Sequence, residues 1–366
     1  MRRRYDTCDP ALETAMTGAA LAKRPRPTVA PKPIGEPARR FDIAEEEIVR
    51  RLAPFHREDE ARSTRAFVEL WAVMGGAIAL GLAVDNLFVR LAVCVFLSGL
   101  FARAFAIYHD TEHGAIFRKS PIKKRMMQLY GALVLSPPSS WSPGHRLHHQ
   151  DTGACDTLIE GEFPVWSVER WRSASRFERF VYRASRHPIT ISLGYFSAFL
   201  YSSVLRPFLA DPLENWKAGA SIAAHYAMLA GAVWACGWQA MLLVLFVPMI
   251  AAGAIGIYLI YVQHNAPTVT YSPSGVRDVR RSAIEGTTYF RMSRFMHWLT
   301  GNIGYHNIHH LAPRIPFYRL PEAMAAIPEL VKRFPTTSWS LTDIRAALSA
   351  NLWDPACRRM VSFSAA

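Results

Sequence analysis

The chain has 366 residues, of which 51% are hydrophobic and only 19% are charged, and the apolar residues fall in long blocks. Blocks of this length are typical of membrane-spanning helices, so the composition points to a membrane protein. The formal net charge of +13 would suit nucleic acid, but beside apolar blocks it fits basic segments that face anionic lipid. We therefore exclude nucleic acid as a partner.

The N-terminal segment differs in composition from the rest of the chain. Residues 1–40 begin with three arginines and then alternate prolines with lysine and arginine, which leaves too little apolar surface to fold. No apolar region follows the arginines, so the segment does not look like a signal peptide. We predict a disordered tail at 1–40, a membrane domain at 41–335 and a C-terminal cytoplasmic segment at 336–366.

Five apolar blocks are long enough to cross a bilayer, and four of them pair into two hairpins. The first pair, about 66–84 and 87–108, is separated by Asp85-Asn86, and the second, about 219–236 and 238–262, by Gly237. Basic residues concentrate in the tail, in 110–188 and after 262, as the positive-inside rule expects of cytoplasmic segments. The sequence predicts an all-α integral membrane protein of four transmembrane helices with both termini in the cytoplasm.

A basic segment precedes a fifth apolar block. Trp171, Ala174, Phe177, Val181 and Ala184 recur at helical spacing among six arginines. This pattern is typical of an amphipathic helix in the cytoplasmic membrane interface, and a surface helix of a soluble subdomain is the alternative. The apolar blocks on both sides favour the interfacial helix.

Eight of the thirteen histidines fall in three tight clusters, and a ninth directly follows the last apolar block. The spacings are i, i+4 in the first cluster and i, i+3, i+4 in the other two, so on helices the imidazoles of a cluster would share one face. Nine imidazoles exceed one tetrahedral zinc site and suit two metals with four or five nitrogen ligands each. The predicted ligands are His109, His113, His145, His148, His149, His264, His306, His309 and His310.

The histidine clusters also constrain the topology and suggest supporting residues. If the second and third clusters share a side, an even number of spans separates them, which leaves the block 189–210 in-plane or re-entrant. Asp110 and Glu112 are candidates to orient imidazoles from outside the ligand set, although a solvated acidic pair is an equally fair alternative. Asn302, one turn before His306, is a candidate to hold a metal-bound water. We predict no catalytic residues beyond the metal ligands.

The three clusters, HDTEH, HRLHH and HNIHH, with hydrophobic pairs between them, resemble the integral-membrane fatty acid desaturase family. The stretch from Gly286 to Leu320 and the pair Gln263-His264 resemble its bacterial acyl-lipid branch in particular. One departure is Asn265-Ala266-Pro267, which stands where that branch usually carries acidic residues soon after the extra histidine.

This resemblance implies a cytoplasmic cap holding a di-iron site that uses O2 to place a cis double bond in a fatty acyl chain, carried on a membrane lipid. It also implies an external electron donor, a ferredoxin or a cytochrome b5-like protein, because the chain has no haem-attachment, flavin or iron–sulfur motif of its own. The same clusters fit a di-iron hydroxylase or ketolase acting on a lipid or carotenoid. A metal transporter is disfavoured, because transporters place ligands inside interrupted spans rather than at span ends.

Overall fold

The computed structural model describes residues 45–157, 163–273 and 279–366, and most of these residues are helical. The predicted tail at 1–40 lies outside the described residues. In the described ranges the α-helices are α1 (Glu45–Leu52), α2 (Glu60–Ala83), α3 (Leu87–Glu112), α4 (Pro121–Leu133), α5 (Pro138–Asp151), α6 (Val168–Ser173), α7 (Arg176–Ser185), α8 (Pro188–Ser192), α9 (Arg206–Ala210), α10 (Trp216–Cys236), α11 (Trp238–Met241), α12 (Val247–His264), α13 (Val279–Glu285), α14 (Arg294–Leu299), α15 (His306–Leu311), α16 (Leu320–Ala325), α17 (Pro328–Val331) and α18 (Leu341–Ser349).

Short strands and tighter helical turns complete the description. The strands are β1 (Ala154–Cys155), β2 (Trp166–Ser167), β3 (Ser272–Pro273), β4 (Tyr289–Arg291), β5 (Thr336–Ser338), β6 (Leu352–Asp354) and β7 (Arg359–Val361). Two π-helical segments are Tyr195–Leu205 and Leu242–Phe246, and 3₁₀ turns are Ala53–His56, Ile303–Tyr305, Phe317–Arg319 and Phe363–Ala365. The sequence did not predict the strands, because two or three residues are too few to show an alternating pattern.

Four helices of the described chain are long and apolar enough to cross a membrane: Glu60–Ala83, Leu87–Glu112, Trp216–Cys236 and the continuous run Trp238–His264. The predicted class of a mostly helical protein with four candidate membrane spans is confirmed. The observed helices extend beyond the predicted spans at the ends that carry polar residues, so that His109 lies on the last turn of α3 and His264 ends α12.

The two predicted hairpins have identifiable turn chemistry. The Asn86 side chain accepts hydrogen bonds from the backbone N–H groups of Phe88 and Val89, which caps the start of α3 immediately after α2 ends. Gly237 separates α10 from α11 with φ of 83°, a left-handed conformation that favours glycine. The first turn places α2 and α3 side by side, and the second joins α10 directly to α11.

Helix α3 is the central element of the helical bundle. It packs against α2 on one side and α12 on another, and Leu97, Leu100, Ala104 and Ile107 along its length are fully buried. Because α3 and α12 are in direct contact, their histidine-bearing ends lie close together. The fifth apolar block consists of α8, the π segment Tyr195–Leu205 and α9, packed against α10 and α12. Its in-plane or re-entrant placement stays a prediction.

The remaining elements form a cap that joins distant parts of the sequence. Strand β2 pairs in parallel with β6, β6 pairs antiparallel with β7, β4 pairs with β5, and β1 pairs with β3. Through β6 the C-terminal residues pack on the segment that precedes α6. The division of the chain after residue 335 stays a prediction.

Candidate metal centre

Four helices supply the nine predicted ligands. Helix α3 and its C-cap residue carry His109 and His113, α5 carries the second cluster, α12 ends at His264, and α15 consists almost entirely of the third cluster. The structure brings all nine imidazoles together, in two groups within each of which the ligand atoms lie no more than 4.8 Å apart. The five-histidine group is His109, His113, His145, His149 and His309, and the four-histidine group is His148, His264, His306 and His310.

The second and third sequence clusters are each divided between the two groups. On α5, His145 and His149 join the five-histidine group while His148 joins the other; on α15 the division is reversed, because His309 alone joins the five-histidine group. Residues four apart on a helix are about 40° apart around its axis, whereas adjacent residues are about 100° apart. Helices α5 and α15 therefore lie between the two groups and contribute to both.

Within each group the Nε2 atoms converge. In the five-histidine group, His145 Nε2 lies 2.9 Å from His113 Nε2 and 3.1 Å from His149 Nε2, which is 3.1 Å from His309 Nε2. In the four-histidine group, His306 Nε2 lies 2.9 Å from both His264 Nε2 and His310 Nε2. Two imidazoles bound at about 2.1 Å to one ion at a right angle have nitrogens about 3 Å apart, so this spacing fits a metal.

Two hydrogen bonds fix which nitrogen points into each group. His109 Nδ1 lies 3.2 Å from Asp110 Oδ1, and because an ionised carboxylate can only accept, this contact places the His109 proton on Nδ1. The Thr152 hydroxyl donates to the His148 carbonyl at 2.7 Å, so its oxygen accepts the Nδ1–H of His310 at 3.0 Å. With the proton on Nδ1, each of these imidazoles turns the Nε2 lone pair inward. Converging lone pairs repel one another unless a cation lies between them, so the tautomers also fit a metal.

Thr152 was missed by sequence reasoning. It is the C-cap residue of α5 and carries a hydroxyl in the turn that follows the second cluster. Its position four residues after His148 is a usable signal, because a threonine there bonds back to the carbonyl of the preceding turn and leaves its oxygen free to accept a second bond.

Burial keeps these imidazoles neutral. It lowers the pKa of His148 to about 3, and it places the pKa values of His306 and His310 well below 6.5, with further lowering by neighbouring imidazoles. The same cause lowers the pKa of His145 and His309. Neutral imidazole is the form that binds a metal, so the environment favours the ligand state over the protonated one.

The two groups differ in exposure. In the four-histidine group all four side chains are buried, whereas His113, His145 and His149 of the five-histidine group are partly exposed. The Trp141 ring covers one side of this group, since it stacks on the His145 imidazole at 4.5 Å between ring centres and an angle of 13°. A cavity of about 40 Å³, with room for a few water molecules, borders His264 of the other group.

The other predicted residues have described contacts. Asp110 also accepts the backbone N–H of Phe317 at 2.6 Å, so it links α3 to the segment after α15. Glu112 accepts hydrogen bonds from the side chains of Gln128 and Ser142, which tie α3 to α4 and α5. The Asn302 amide donates to the Phe317 carbonyl at 3.0 Å. The roles predicted for Glu112 and Asn302 stay predictions.

The geometry therefore defines a helical protein with four candidate membrane spans and two adjoining histidine groups able to hold metal. A model described as fatty acid desaturase matches residues 86–342. The chain is 32% identical over 276 residues to a fatty acid desaturase of Bacillus subtilis, a match covering 75% of this chain and 78% of that protein.

Two relatives from Synechocystis are more distant. The chain is 23% identical over 266 residues to an sn-1 oleoyl-lipid 12-desaturase, with 69% of this chain and 72% of that protein covered. It is 23% identical over 270 residues to an sn-1 acyl-lipid omega-3 desaturase (ferredoxin), with 72% and 74% covered. The chain belongs to the fatty acid desaturase family. It is therefore an oxidoreductase of lipid metabolism and is associated with membranes, and the predictions of family and enzyme class are confirmed.

Proposed function

We propose that this protein is an O2-dependent acyl-lipid desaturase whose nine histidines hold two iron ions. The observation that carries the proposal is the sorting of the nine imidazoles into groups of five and four with inward-facing Nε2 atoms, in a chain of the desaturase family. Imidazole nitrogen suits iron as well as zinc, but a single zinc site needs only four ligands, and the second group would then have no use.

The bound irons would supply the four-electron reduction of dioxygen to two water molecules: two electrons come from the donor protein, two protons from solvent, and two hydrogens from adjacent methylene carbons, which leaves a double bond. The chain's own residues hold and orient the ligands. Asp110 fixes the tautomer of His109, Thr152 fixes that of His310, and Trp141 fixes the ring plane of His145. Burial of the four-histidine group excludes bulk water and keeps its imidazoles neutral and available for binding.

We further propose that the four long apolar helices cross the membrane as two hairpins, with both termini and the histidine groups on the cytoplasmic side. His109 and His264 end the second and fourth of these helices, which supports a site at one membrane face. An acyl chain of a membrane lipid would approach from the bilayer, and electrons would come from a ferredoxin or a cytochrome b5-like protein. The relative named as ferredoxin-dependent supports the first of these donors.

Expression in a bacterial host without such an enzyme, together with a ferredoxin and its reductase, tests the proposal. The intact chain and the His309→Ala variant are compared, with the variant confirmed in the membrane fraction by immunoblot. Gas chromatography with mass-spectrometric location of double bonds should show new cis-unsaturated acyl chains with the intact protein alone. Hydroxylated or keto products, or no new product while iron is bound, would contradict it.

A further inference from the structure

Two cap helices next to the candidate spans expose apolar side chains beside basic ones. On α4, Ile122, Met126 and Leu129 recur at i, i+4 and i+7 and are 74%, 44% and 60% exposed. The opposite side of the helix buries Met127 and Tyr130. A stripe at this spacing faces outward along the whole helix, so α4 has one side for the protein and one apolar side that no described residue covers.

Helix α7 shows the same division. Phe177, Phe180 and Val181 are 73%, 67% and 47% exposed, although large aromatic side chains are rarely left in water. On the other side Tyr182 is buried, stacked on Trp166 at 4.3 Å and donating its hydroxyl proton to the Asn351 carbonyl. The apolar stripe predicted from the sequence is wrong in one part, because the helix breaks at Ala174 and Trp171 is buried in the cap.

The exposed charged residues of α4 and α7 are mainly basic. Helix α4 contains Lys123, Lys124 and Arg125 and no acidic residue. The single acidic residue of α7, Glu178, is held in a capping box with Ser175, and three arginines of the same helix, Arg176, Arg179 and Arg183, outnumber it. Arg125 and Arg176 are exposed and stand four residues before Leu129 and Phe180, which places a cation beside each apolar stripe.

The far end of α4 is bonded to a candidate span. A helix leaves its last carbonyls without partners, and in water these are hydrated. Here the chain supplies partners from α10, a candidate span: Ser221 donates to the Ala132 carbonyl at 2.5 Å, and His225 Nδ1 lies 2.7 Å from the Leu133 carbonyl. The other ring nitrogen of His225, Nε2, lies 2.6 Å from the Tyr195 hydroxyl oxygen, so both nitrogens have a partner. These bonds fix the end of α4 to α10, so α4 lies directly beside a helix that is proposed to cross the membrane.

The exposed apolar surface of α7 also continues into the next elements. Ile189 and Leu193, beside the start of the fifth apolar block, are 63% and 44% exposed, and Phe196 is 41% exposed. The stripes of α4 and α7 therefore adjoin the elements that the membrane covers, and their flanks carry cations. A bilayer surface with negative headgroups matches both features, whereas a protein partner would have to match two separate helices.

We propose that α4 and α7 lie in the headgroup layer of one leaflet, with their apolar stripes among acyl chains and with Arg125 and Arg176 on the phosphates of anionic phospholipid. This goes beyond the proposed chemistry and rests on the proposed membrane topology, in which the four long helices cross the bilayer. The lipid held there is an anionic glycerophospholipid, recognised by charge on the headgroup and not by its acyl chain.

Photo-crosslinking of the full-length protein tests this. A benzophenone amino acid is placed at position 129 or 180, and the protein is reconstituted in nanodiscs of equimolar phosphatidylglycerol and phosphatidylcholine with identical acyl chains. Intact-mass spectrometry after illumination should show lipid adducts at both positions, with phosphatidylglycerol about fivefold over phosphatidylcholine, since a cation near the surface favours anionic lipid by that factor. The same probe at position 50, on the polar helix α1, is the control and should give no lipid adduct.

A double variant tests whether Arg125 and Arg176 select the anionic lipid. Arg125→Gln with Arg176→Gln should keep the total lipid adduct and bring the two lipids near parity. Arg50→Gln removes the charge of an exposed arginine that pairs with Glu47 on α1, and it should leave the preference unchanged. Absence of lipid adducts at 129 and 180, or adducts to protein instead, overturns the proposal; equal amounts of both lipids in the unsubstituted protein overturn its anionic part. Adduct formation needs no turnover, so these results are separate from failure to desaturate.

Discussion

The two histidine groups share two helices but differ in the number of ligands and in burial. Both draw on α5 and α15, yet α3 and its C-cap residue give the five-histidine group two ligands, whereas α12 gives the other group one. The physical reason is length: α12 ends at His264 and has no further turn to carry a partner four residues on. The four-histidine group has fewer nitrogens and complete burial, and the five-histidine group has more nitrogens and partial exposure.

The two groups therefore differ in whether they can lose a ligand and still hold a metal. A site of four enclosed imidazoles has no spare ligand, so each member is essential for holding its metal. A site of five can lose one and still present four nitrogens, the number that completes a tetrahedral metal site. The same substitution should therefore have unequal consequences in the two groups, although the sequence clusters themselves look alike.

The largest expected effect comes from removing a ligand in each group. His264→Ala leaves three nitrogens and should reduce the iron content from two to about one ion per chain, with activity below detection. His113→Ala leaves four nitrogens and should retain both irons after desalting while activity falls. Iron per chain by plasma mass spectrometry, with product by gas chromatography, measures this. Equal iron loss in the two variants would contradict the unequal roles of the groups.

A smaller effect is expected from the residues that orient the ligands. Thr152→Val removes the acceptor for His310, and Asp110→Asn weakens the acceptor for His109. Loss of such a partner typically lowers metal affinity about 10- to 100-fold, so competition with a chelator should release one iron first in each variant. Thr152→Ser keeps the hydroxyl and serves as the control. If Thr152→Val holds iron as tightly as Thr152→Ser, the threonine does not orient His310.

The ring contact on the exposed side should contribute less. Trp141→Leu keeps an apolar side chain but removes the stack on His145, which is worth about 0.5–1.5 kcal/mol beyond its buried area. Iron should leave the five-histidine group up to about tenfold faster, measured by stopped-flow chelation. Trp141→Phe preserves an aromatic face and should recover most of the lifetime. Unchanged release in both variants would show that the stack has no part in holding the site.

The smallest effect concerns pH. Burial lowers the pKa of His148 to about 3 in the folded state, whereas the unfolded chain takes up this proton near pH 6.5. The unfolded state therefore binds more protons between these values, so the metal-free protein keeps full stability above about pH 6.5 and loses it as pH falls toward 3. Melting temperatures at about pH 7.5 and about pH 5.5 measure this. In His148→Gln the melting temperature should fall less between these two pH values. An identical fall in both proteins would show that other groups cause the loss of stability.

The nine histidines could be proposed as ligands from the sequence, because their spacing of three and four residues is that of one helix face. The sequence could not predict how they divide, since neighbours such as His148 and His149 belong to different groups once α5 lies between them. Block length indicated five candidate spans, and the even number of crossings required between the second and third histidine clusters reduced them to four. The contact of Thr152 with His310 required the tertiary structure, because the two residues are 158 positions apart. Trp141 stands four residues before His145 on α5, so helical spacing could have indicated its contact.

The central claim is that one chain holds two irons in unlike nitrogen environments. Mössbauer spectroscopy of protein loaded with ⁵⁷Fe in the reduced state tests it most directly. The account predicts two quadrupole doublets of equal area, with His264→Ala removing one and His113→Ala shifting the other. A single doublet in the unsubstituted protein, or one iron per chain, would contradict the division of the nine histidines into two metal sites.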